Sequence, residues 1–560
     1  MAGVALPQDA YFLGFDSSTQ SLKATVLDSN LNIVQSELIR FASDLPHYQT
    51  EDGVYREPSG NGRIVSPTLM WVEALDLMLQ KLSQSELDLG RIAAISGSGQ
   101  QHGSVYWKTG SSQILSSLDP EKSLLNQLEN AFSTKKSPVW MDCSTTSECR
   151  KIEEACGGAM ELAKLTGSRA YERCTGPQIK KIFNTQPEVY NNTERISLVS
   201  SFMASLFIGA YAAIDHSDGS GMNLMDIRKK EWSKLALEAT APNLQSKLGE
   251  LAPAYAVAGS IAPYFVERYH FNKNCLIINW SGDNPNSVAG LTLNVPGDVG
   301  ISLGTSDTVF MITKDPNPRL EGPVLPSPVD SEGYMIMLVY KNGSLTREDI
   351  RNRFAEKSWA TFNKFLQETP PLNGGKLGFY YKDHEILPPL PVGFHRYVIE
   401  NFTGDSLDGL AEHEVQEFDA PSEVRAIIEG QFLSMRAHAE RFGMPFPPQR
   451  IIATGGASAN HSILSTIASI FGCDVYTVER PGTDSASLGA ALRAAHGFLC
   501  SEKGSFIPIS DLYMHKLKET SLSCKLSVKA GDEKLVSKYG LFMKKRIEIE
   551  NRLIEKYGRI

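Results

Sequence analysis

Tyr11-Phe12-Leu13-Gly14-Phe15-Asp16, then Ser17-Ser18-Thr19-Gln20-Ser21, then Leu22-Lys23-Ala24-Thr25-Val26-Leu27-Asp28 is the stretch on which the fold turns. Two apolar runs of strand length flank a turn of small hydroxyl residues, the pattern of a β-hairpin. A third strand is expected at Ile33-Val34. The same pattern returns at Gly300-Ile301-Ser302-Leu303-Gly304-Thr305-Ser306-Asp307-Thr308-Val309-Phe310-Met311-Ile312. Beginning at residues 11 and 300, the hairpins lie too far apart for a solenoid period and suit two related domains. Each turn exposes successive backbone N–H groups and hydroxyls, donors suited to a phosphate. Asp16, ending the first strand, would repel that phosphate unless a divalent cation lay between them, so it suggests Mg²⁺. One such turn is commonplace; one per half suggests a cleft that grips a nucleotide from both sides.

Further along, Ile92 to Ile95 reads as a buried strand running into Ser96-Gly97-Ser98-Gly99-Gln100-Gln101-His102-Gly103. This superficially matches a dinucleotide fingerprint, but its third Gly is one place late and a bulky His fills the turn. No G-x-x-x-x-G-K-[ST] occurs, which argues against a P-loop. In Ile451-Ile452-Ala453-Thr454-Gly455-Gly456-Ala457-Ser458-Ala459-Asn460 a strand meets paired glycines and then a helix from Ser462 to Phe471, a turn a ligand could approach closely. Near residue 281 the apolar run Cys275-Leu276-Ile277-Ile278 gives way to Ser281-Gly282-Asp283-Asn284-Pro285, and the domain boundary is placed there. Asp283 leads into a helix and reads either as its N-cap or as a general base taking a proton from an alcohol.

Helices are expected over Pro67–Lys81, with Ser66 as start signal, around Thr145–Ala155, and over Arg195–Ala213. Leu198 to Ile214 is at the short limit for a membrane span and reads as a buried helix. Pro316–Gly343 and Leu387–Gly393 read as loops or irregular insertions. Lys534–Ile560, with eight Lys/Arg and three Glu, reads as an amphipathic helix with a solvated charged face.

The 560 residues, 42% hydrophobic and 21% charged, allow two or three domains with sizeable cores. Lys+Arg at 55 against Asp+Glu at 64 gives net −9, which argues against a nucleic-acid binder needing a basic face. Eight cysteines without a C-x-x-C pair fit reduced thiols rather than a disulfide framework or a zinc site. No signal peptide is apparent, and the few residues before Tyr11 leave no room for a transit peptide, so a cytoplasmic protein is expected.

Phe15 to Ser21, Gly304-Thr305-Ser306-Asp307 and Gly455 to Asn460 appear in the order found in sugar kinases of the FGGY family. Asp218-Gly219-Ser220-Gly221-Met222-Asn223-Leu224-Met225-Asp226 and Ala486-Ser487-Leu488-Gly489-Ala490-Ala491 extend the resemblance, which runs from about residue 11 to Gly497. It implies an α/β fold of two actin-like ATPase (ribonuclease H-like) domains around a central catalytic cleft. The N-terminal sugar-binding domain would span 8–281, the C-terminal nucleotide-binding domain 282–530, and a helical tail 531–560.

Gln100-Gln101-His102-Gly103 is similar to the sugar-contact segment of the family's xylulose kinases, and Tyr171-Glu172-Arg173-Cys174-Thr175-Gly176 to their eukaryotic members. By this resemblance ATP phosphorylates D-xylulose, with Asp283 taking the proton of the terminal hydroxyl. Gln100, His102, Arg173, Asp283 and Asn284 would contact the sugar, and Asp16 would orient Mg²⁺ directly or through water. Thr19, Gly304 and Thr305 would bind phosphates, while Gly455, Gly456, Asn460 and Trp359 would line the nucleotide. The partners implied are a small sugar and ATP, with no nucleic acid or membrane, for a monomer or homodimer. A kinase for ribulose or glycerol, and a non-catalytic actin-like ATP-binding or sugar-sensing protein, are the competing readings.

Overall fold

The computed structural model describes residues 5–57, 61–478, 485–513 and 524–558. In the first half β1 (Tyr11–Ser17), β2 (Ser21–Asp28), β3 (Ile33–Arg40), β4 (Ile92–Gly99), β5 (Val257–Ser260) and β6 (Leu276–Ile278) form a sheet in the order β5-β6-β4-β1-β2-β3. A short β7 (Ser281–Gly282) pairs with the end of β4. The first three strands are antiparallel; β4 joins β1, and β6 joins β4, in parallel. β1 is buried from Phe12 to Ser17, as suits a strand flanked on both sides.

The second half repeats the scheme. Strands β8 (Asp298–Leu303), β9 (Asp307–Thr313), β10 (Val324–Pro326), β11 (Tyr334–Tyr340), β12 (Arg450–Thr454), β13 (Val475–Val478) and β14 (Cys524–Val528) lie in the order β10-β11-β9-β8-β12-β13-β14. Again an antiparallel set, β8-β9-β11, is extended by parallel strands, β12 and β13. The hairpin echo in the sequence is therefore a repeat of topology. The expected loop Pro316–Gly343 holds β10 and β11, so that expectation is corrected: apart from Pro326, which ends β10, its Pro and Gly residues lie outside the strands, and Tyr334–Tyr340 pairs with β9 along its length.

Two helix expectations also change. α1 (Thr68–Ser83) begins after Pro67 with no side-chain cap, because Ser66 lies in a strand and donates instead to the Gly53 carbonyl at 2.8 Å. Residues Thr193–Leu198 pair with the strand Ser104–Lys108, so α2 (Val199–Ile208) starts only afterwards; Val199–Phe207 are buried. Among the described residues no helix is long and apolar enough to cross a membrane. Further elements used below are α3 (His216–Gly221), α4 (Asp283–Gly290), α5 (Ser344–Phe354), α6 (Trp359–Glu368), α7 (Ala420–Arg441), α8 (His461–Phe471), α9 (Ser485–Lys503) and α10 (Glu533–Tyr557).

Each half has its own apolar core, one containing Leu13, Phe15, Trp71 and Trp280, the other Val299, Leu338, Phe432 and Phe542. A third cluster joins the two sheets: Phe12 and Ile278 from the first, Ile312 and Ile452 from the second, with Val288 of α4 and Leu488 and Leu492 of α9 between them. At roughly 1.5–3 kcal/mol per fully buried large apolar side chain, this cluster fixes α4 and α9 at the base of the cleft. The C-terminal helix differs from the solvated face expected of it. Tyr539, Phe542, Ile549 and Leu553 enter the second core, and Arg546 and Glu550 are buried as an ion pair beside His438. All eight cysteines are free.

Candidate active site

The ends of three neighbouring strands bring the first candidates together. Asp16 on β1 is in register with Ser98 on β4, and Ser98 with Ser281 on β7, two residues before Asp283. With strands about 4.8 Å apart, the Asp16 and Ser281 backbones stand on the two sides of β4 at one level. Asp16 is buried; its Oδ1 accepts from Ser98 Oγ at 2.6 Å and its Oδ2 lies 3.8 Å from Lys23 Nζ. The hairpin turn above it is closed by Ser18 N donating to the Ser21 carbonyl at 2.9 Å.

Asp283 is the first residue of α4, with Gly282 in the N-cap position, so it is not the cap itself. It faces a cavity of about 310 Å³ between the two halves, lined by Thr19, Gln101, His102, Trp140, Arg173 and Asn284 on one side and Thr308, Met337, Val339 and Ile386 on the other. Asp283 Oδ1 accepts from Asn284 N at 2.9 Å, and Asn284 Nδ2 donates to Gln101 Oε1 at 2.7 Å. Gln101, rather than Gln100, therefore reaches the cavity. Gln100 is buried beneath the first hairpin, its N–H donating to the Ser17 carbonyl at 2.8 Å and its Oε1 standing 3.5 Å from Thr19 Oγ1.

His102 has φ +69°, in the left-handed region that a non-glycine residue rarely occupies. Its carbonyl accepts from Thr175 Oγ1 at 3.0 Å, and its ring is hydrogen-bonded to the Gly221 backbone, so both ends of the residue are pinned. Desolvation and the Arg173 charge outweigh that ring hydrogen bond and push the imidazole pKa down to about 3. His102 is thus neutral across the physiological range, able to exchange hydrogen bonds with a hydroxyl without carrying charge. Arg173 lies over the Tyr171 ring, 4.3 Å from its centroid. Below it, Gln178 Nε2 bridges Asp142 Oδ1, at 2.7 Å, and the Glu172 carbonyl, at 3.0 Å, tying the Trp140–Asp142 turn to the Arg173 turn.

A buried carboxylate stands behind Asp283. Burial, with Asp215 nearby, holds Asp218 well above the usual carboxylate range; the Ser200 hydroxyl opposes the shift and the Asp283 charge adds to it. Ser200 Oγ donates to Asp218 Oδ2.

The remaining candidates gather at the strand ends of the second half. The turn Gly304–Ser306 links β8 to β9, with Thr305 exposed. Its base is braced by Arg347, whose Nη1 and Nη2 donate to the two carboxylate oxygens of Asp307 at 2.6 and 2.9 Å. Ser344 N donates to the Gly304 carbonyl at 2.8 Å. In parallel register, Thr454 of β12 pairs with Ser302, bringing Gly455 and Gly456 beside that turn. Gly455 has φ +85°, and a Cβ there would lie 2.5 Å from the Leu303 carbonyl oxygen; at Gly456 a Cβ would meet only open space. Asn460 caps α8, its Oδ1 accepting from Ser462 N and Ile463 N, while its Nδ2 donates to Asn363 Oδ1 at 2.8 Å. That bond holds α8 to α6, on which Trp359, 38% exposed, begins the helix one turn before Asn363.

The candidates thus divide between this cavity, with Asp283 at its wall, and a separate group at the strand ends of the second half around Gly304 and Gly455. The sequence reading missed Gln101, Trp140, Thr308, Met337, Val339 and Ile386. Met337 and Val339 share one face of β11 by strand alternation, a signal masked by the Pro and Gly residues around that strand. Trp140 lies in no motif.

Comparison with known proteins agrees with this architecture. Residues 125–290 match the N-terminal domain, and residues 299–498 the C-terminal domain, of the FGGY family of carbohydrate kinases. The chain is 71% identical over 558 residues to Xylulose kinase 2 of Arabidopsis thaliana, covering 100% of both chains. It is 49% identical over 486 residues to the Xylulose kinase of Rattus norvegicus, covering 87% of this chain and 88% of that one. Its fold matches the crystal structure of a xyloylose kinase from Brucella ovis, with TM-score 0.74 at 18% identity, over 97% of this chain and 99% of that one. With both domains matched and relatives this similar along the whole chain, the protein belongs to the FGGY family of carbohydrate kinases.

Proposed function

We propose that this carbohydrate kinase phosphorylates D-xylulose with ATP, and that Asp283 is the general base. The observation that carries the reading is the single cavity onto which Asp283, Asn284, His102 and Arg173 all face. The names of its relatives support the sugar: both are xylulose kinases. A volume of about 310 Å³ lies at the small end of ligand pockets and suits a five-carbon sugar. Neutral His102, Arg173, Asn284 and Gln101 offer donors and acceptors to its hydroxyls and carbonyl. As the terminal hydroxyl oxygen bonds to the γ-phosphorus and the bond to the ADP oxygen breaks, the hydroxyl proton passes to the Asp283 carboxylate. A carboxylate serves as the base because the proton leaves late in a loose transition state.

The turns at Ser18–Gln20 and Gly304–Ser306 would hold phosphate oxygens, and Gly455, Gly456 and Trp359 would receive the nucleoside. The donor set near Asp16 fits a magnesium ion, which takes one or two carboxylates and completes its shell with water and phosphate oxygens. Asp16 would hold that ion; when bound, it neutralises charge on the transferring phosphates. Closure of the two halves would exclude water from the cavity.

The test is a coupled ADP-release assay over a panel of sugars with the wild type and Asp283→Asn. Asn keeps the shape and an acceptor for the Asn284 N–H but cannot take the proton. D-xylulose is expected to stimulate ADP formation most, and the variant to lose about 10²–10⁴-fold in kcat. Near-wild-type turnover by the variant overturns the base. Stronger stimulation by glycerol or ribulose overturns the substrate.

A further inference from the structure

α9 reaches the cleft from the far end of the chain, yet it packs against β1, β4 and α4. Contact with α4 is so close that a Cβ at Gly489 would stand 1.8 Å from the Asn286 carbonyl oxygen. One turn on, Arg493 is 1% exposed. Its Nη1 donates to Ser281 Oγ and Asn286 Oδ1, and its Nη2 to the carbonyls of Asn279 and Ala254, all at 2.7 Å. Ser281 and Asn286 flank Asp283 on its two sides. The clamp continues into β4: Asn286 Nδ2 donates to the Gly97 carbonyl at 2.9 Å, and Ser96 Oγ to the Asn279 carbonyl at 3.1 Å. β4 in turn leads directly to Gln101 and His102.

We propose that Arg493 is a positioning residue for phosphoryl transfer: its planar fork locks the 279–286 segment and so fixes where Asp283 stands against the sugar. The inference rests on the reading of Asp283 as base. Arg493 does not line the cavity. None of these four acceptors is a carboxylate, and the Asp215 charge lies nearby. A residue needed only to balance that charge could be a lysine. A residue needed to hold several acceptors in one plane could not, because an ammonium is a point charge on a flexible stem.

Arg493→Lys separates the two roles. With the full-length enzyme, kcat and KM for D-xylulose and ATP are measured alongside thermal melting. Misplacing a catalytic group by about 1 Å can cost roughly 10²-fold. The lysine variant is therefore expected to lose on the order of 10- to 100-fold in kcat, while both KM values stay within about threefold and melting stays close to wild type. Ser281→Ala, which removes one acceptor and keeps the charge, is expected to lose severalfold in kcat alone. In the Arg493→Lys background it should lose less than in the wild type, since the two act through one clamp. A kcat for Arg493→Lys within twofold of wild type, a loss confined to KM, or fully additive losses overturns the proposal. An active Asp283→Asn would instead overturn the base itself, so the two failures are told apart.

Discussion

The Asp307–Arg347 pair invites a perturbation whose size follows from the structure. Both side chains are fully buried, and the guanidinium also donates to Gln431 Oε1 and Ser344 Oγ, each at 2.9 Å. Arg347→Met removes the cation and leaves a buried carboxylate next to the Gly304 turn. Breaking a buried pair by removing one partner costs about 3–5 kcal/mol, whereas replacing both partners with apolar groups is often near neutral. Arg347→Met is therefore expected to lose about 3–5 kcal/mol, and the double variant Arg347→Met/Asp307→Leu to recover at least about 2 kcal/mol of it. Burial already raises the Asp307 pKa, with Arg347 opposing. Without Arg347 the folded state holds the Asp307 proton more tightly than the unfolded state does. The single variant's stability then falls as pH rises above the unfolded carboxylate value near ~4, by at most about 1.4 kcal/mol per pH unit, until the folded value is passed. Urea denaturation followed by tryptophan fluorescence at pH 5 and pH 7.5 measures this, with a larger deficit expected at pH 7.5. A single-variant cost below about 1 kcal/mol, additivity in the double variant, or a deficit that shrinks as pH rises would show that Arg347 does not compensate a buried Asp307 charge.

Other sites yield equally direct expectations. His102→Asn is expected to raise KM for the sugar by roughly 10- to 100-fold, about 1.5–3 kcal/mol of hydrogen bonding, with KM for ATP unchanged. Because the wild-type imidazole titrates near pH 3, the acid limb of the kcat/KM profile should stay in place in that variant. Gly455→Ala, forced into φ +85° and against Leu303, should destabilise the fold by about 1–3 kcal/mol. Gly456→Ala, which meets open space, should change stability by less than about 0.5 kcal/mol and yet raise KM for ATP. The buried Glu550 is held down to about pH 2 from an ordinary value of 4.5, the charges of His438 and Arg546 prevailing over burial. A depressed carboxylate contributes stability above its unfolded value and loses it as pH falls through the folded one, so about 3 kcal/mol should disappear between roughly pH 4.5 and 2. Glu550→Gln should lose that dependence in acid-denaturation curves.

Much of the fold could be read from the chain because its defining signals are local. The hairpins at residues 11 and 300 carry apolar runs on either side of hydroxyl turns, and strand alternation together with turn chemistry depends only on near neighbours. Where the reading failed, a partner distant in sequence decided. Thr193–Leu198 is a strand because Ser104–Lys108 offers it a ladder, and Tyr334–Tyr340 because β9 does. Arg546 and Glu550 are buried because they pair with each other and Glu550 also with His438, so their charge gave no sign of their position.

The candidate site divides in the same way. Asp16, Thr19, His102, Asp283 and Gly455 announce themselves as residue types in local turns, and a turn's chemistry is carried by a few adjacent residues. Which of Gln100 and Gln101 reaches the cavity depends on how β4 ends against β7, and that Trp140 and Ile386 face each other's half depends on the packing of two sheets. Most of all, Arg493 lies more than 200 residues from Ser281 in sequence, and no spacing rule joins them. The repeated strand-turn-strand units and the chemistry placed in them follow from neighbouring residues along the chain. What holds Asp283 in place follows instead from packing across the molecule, because a buried guanidinium is satisfied by whichever acceptors α9 brings within 2.7 Å.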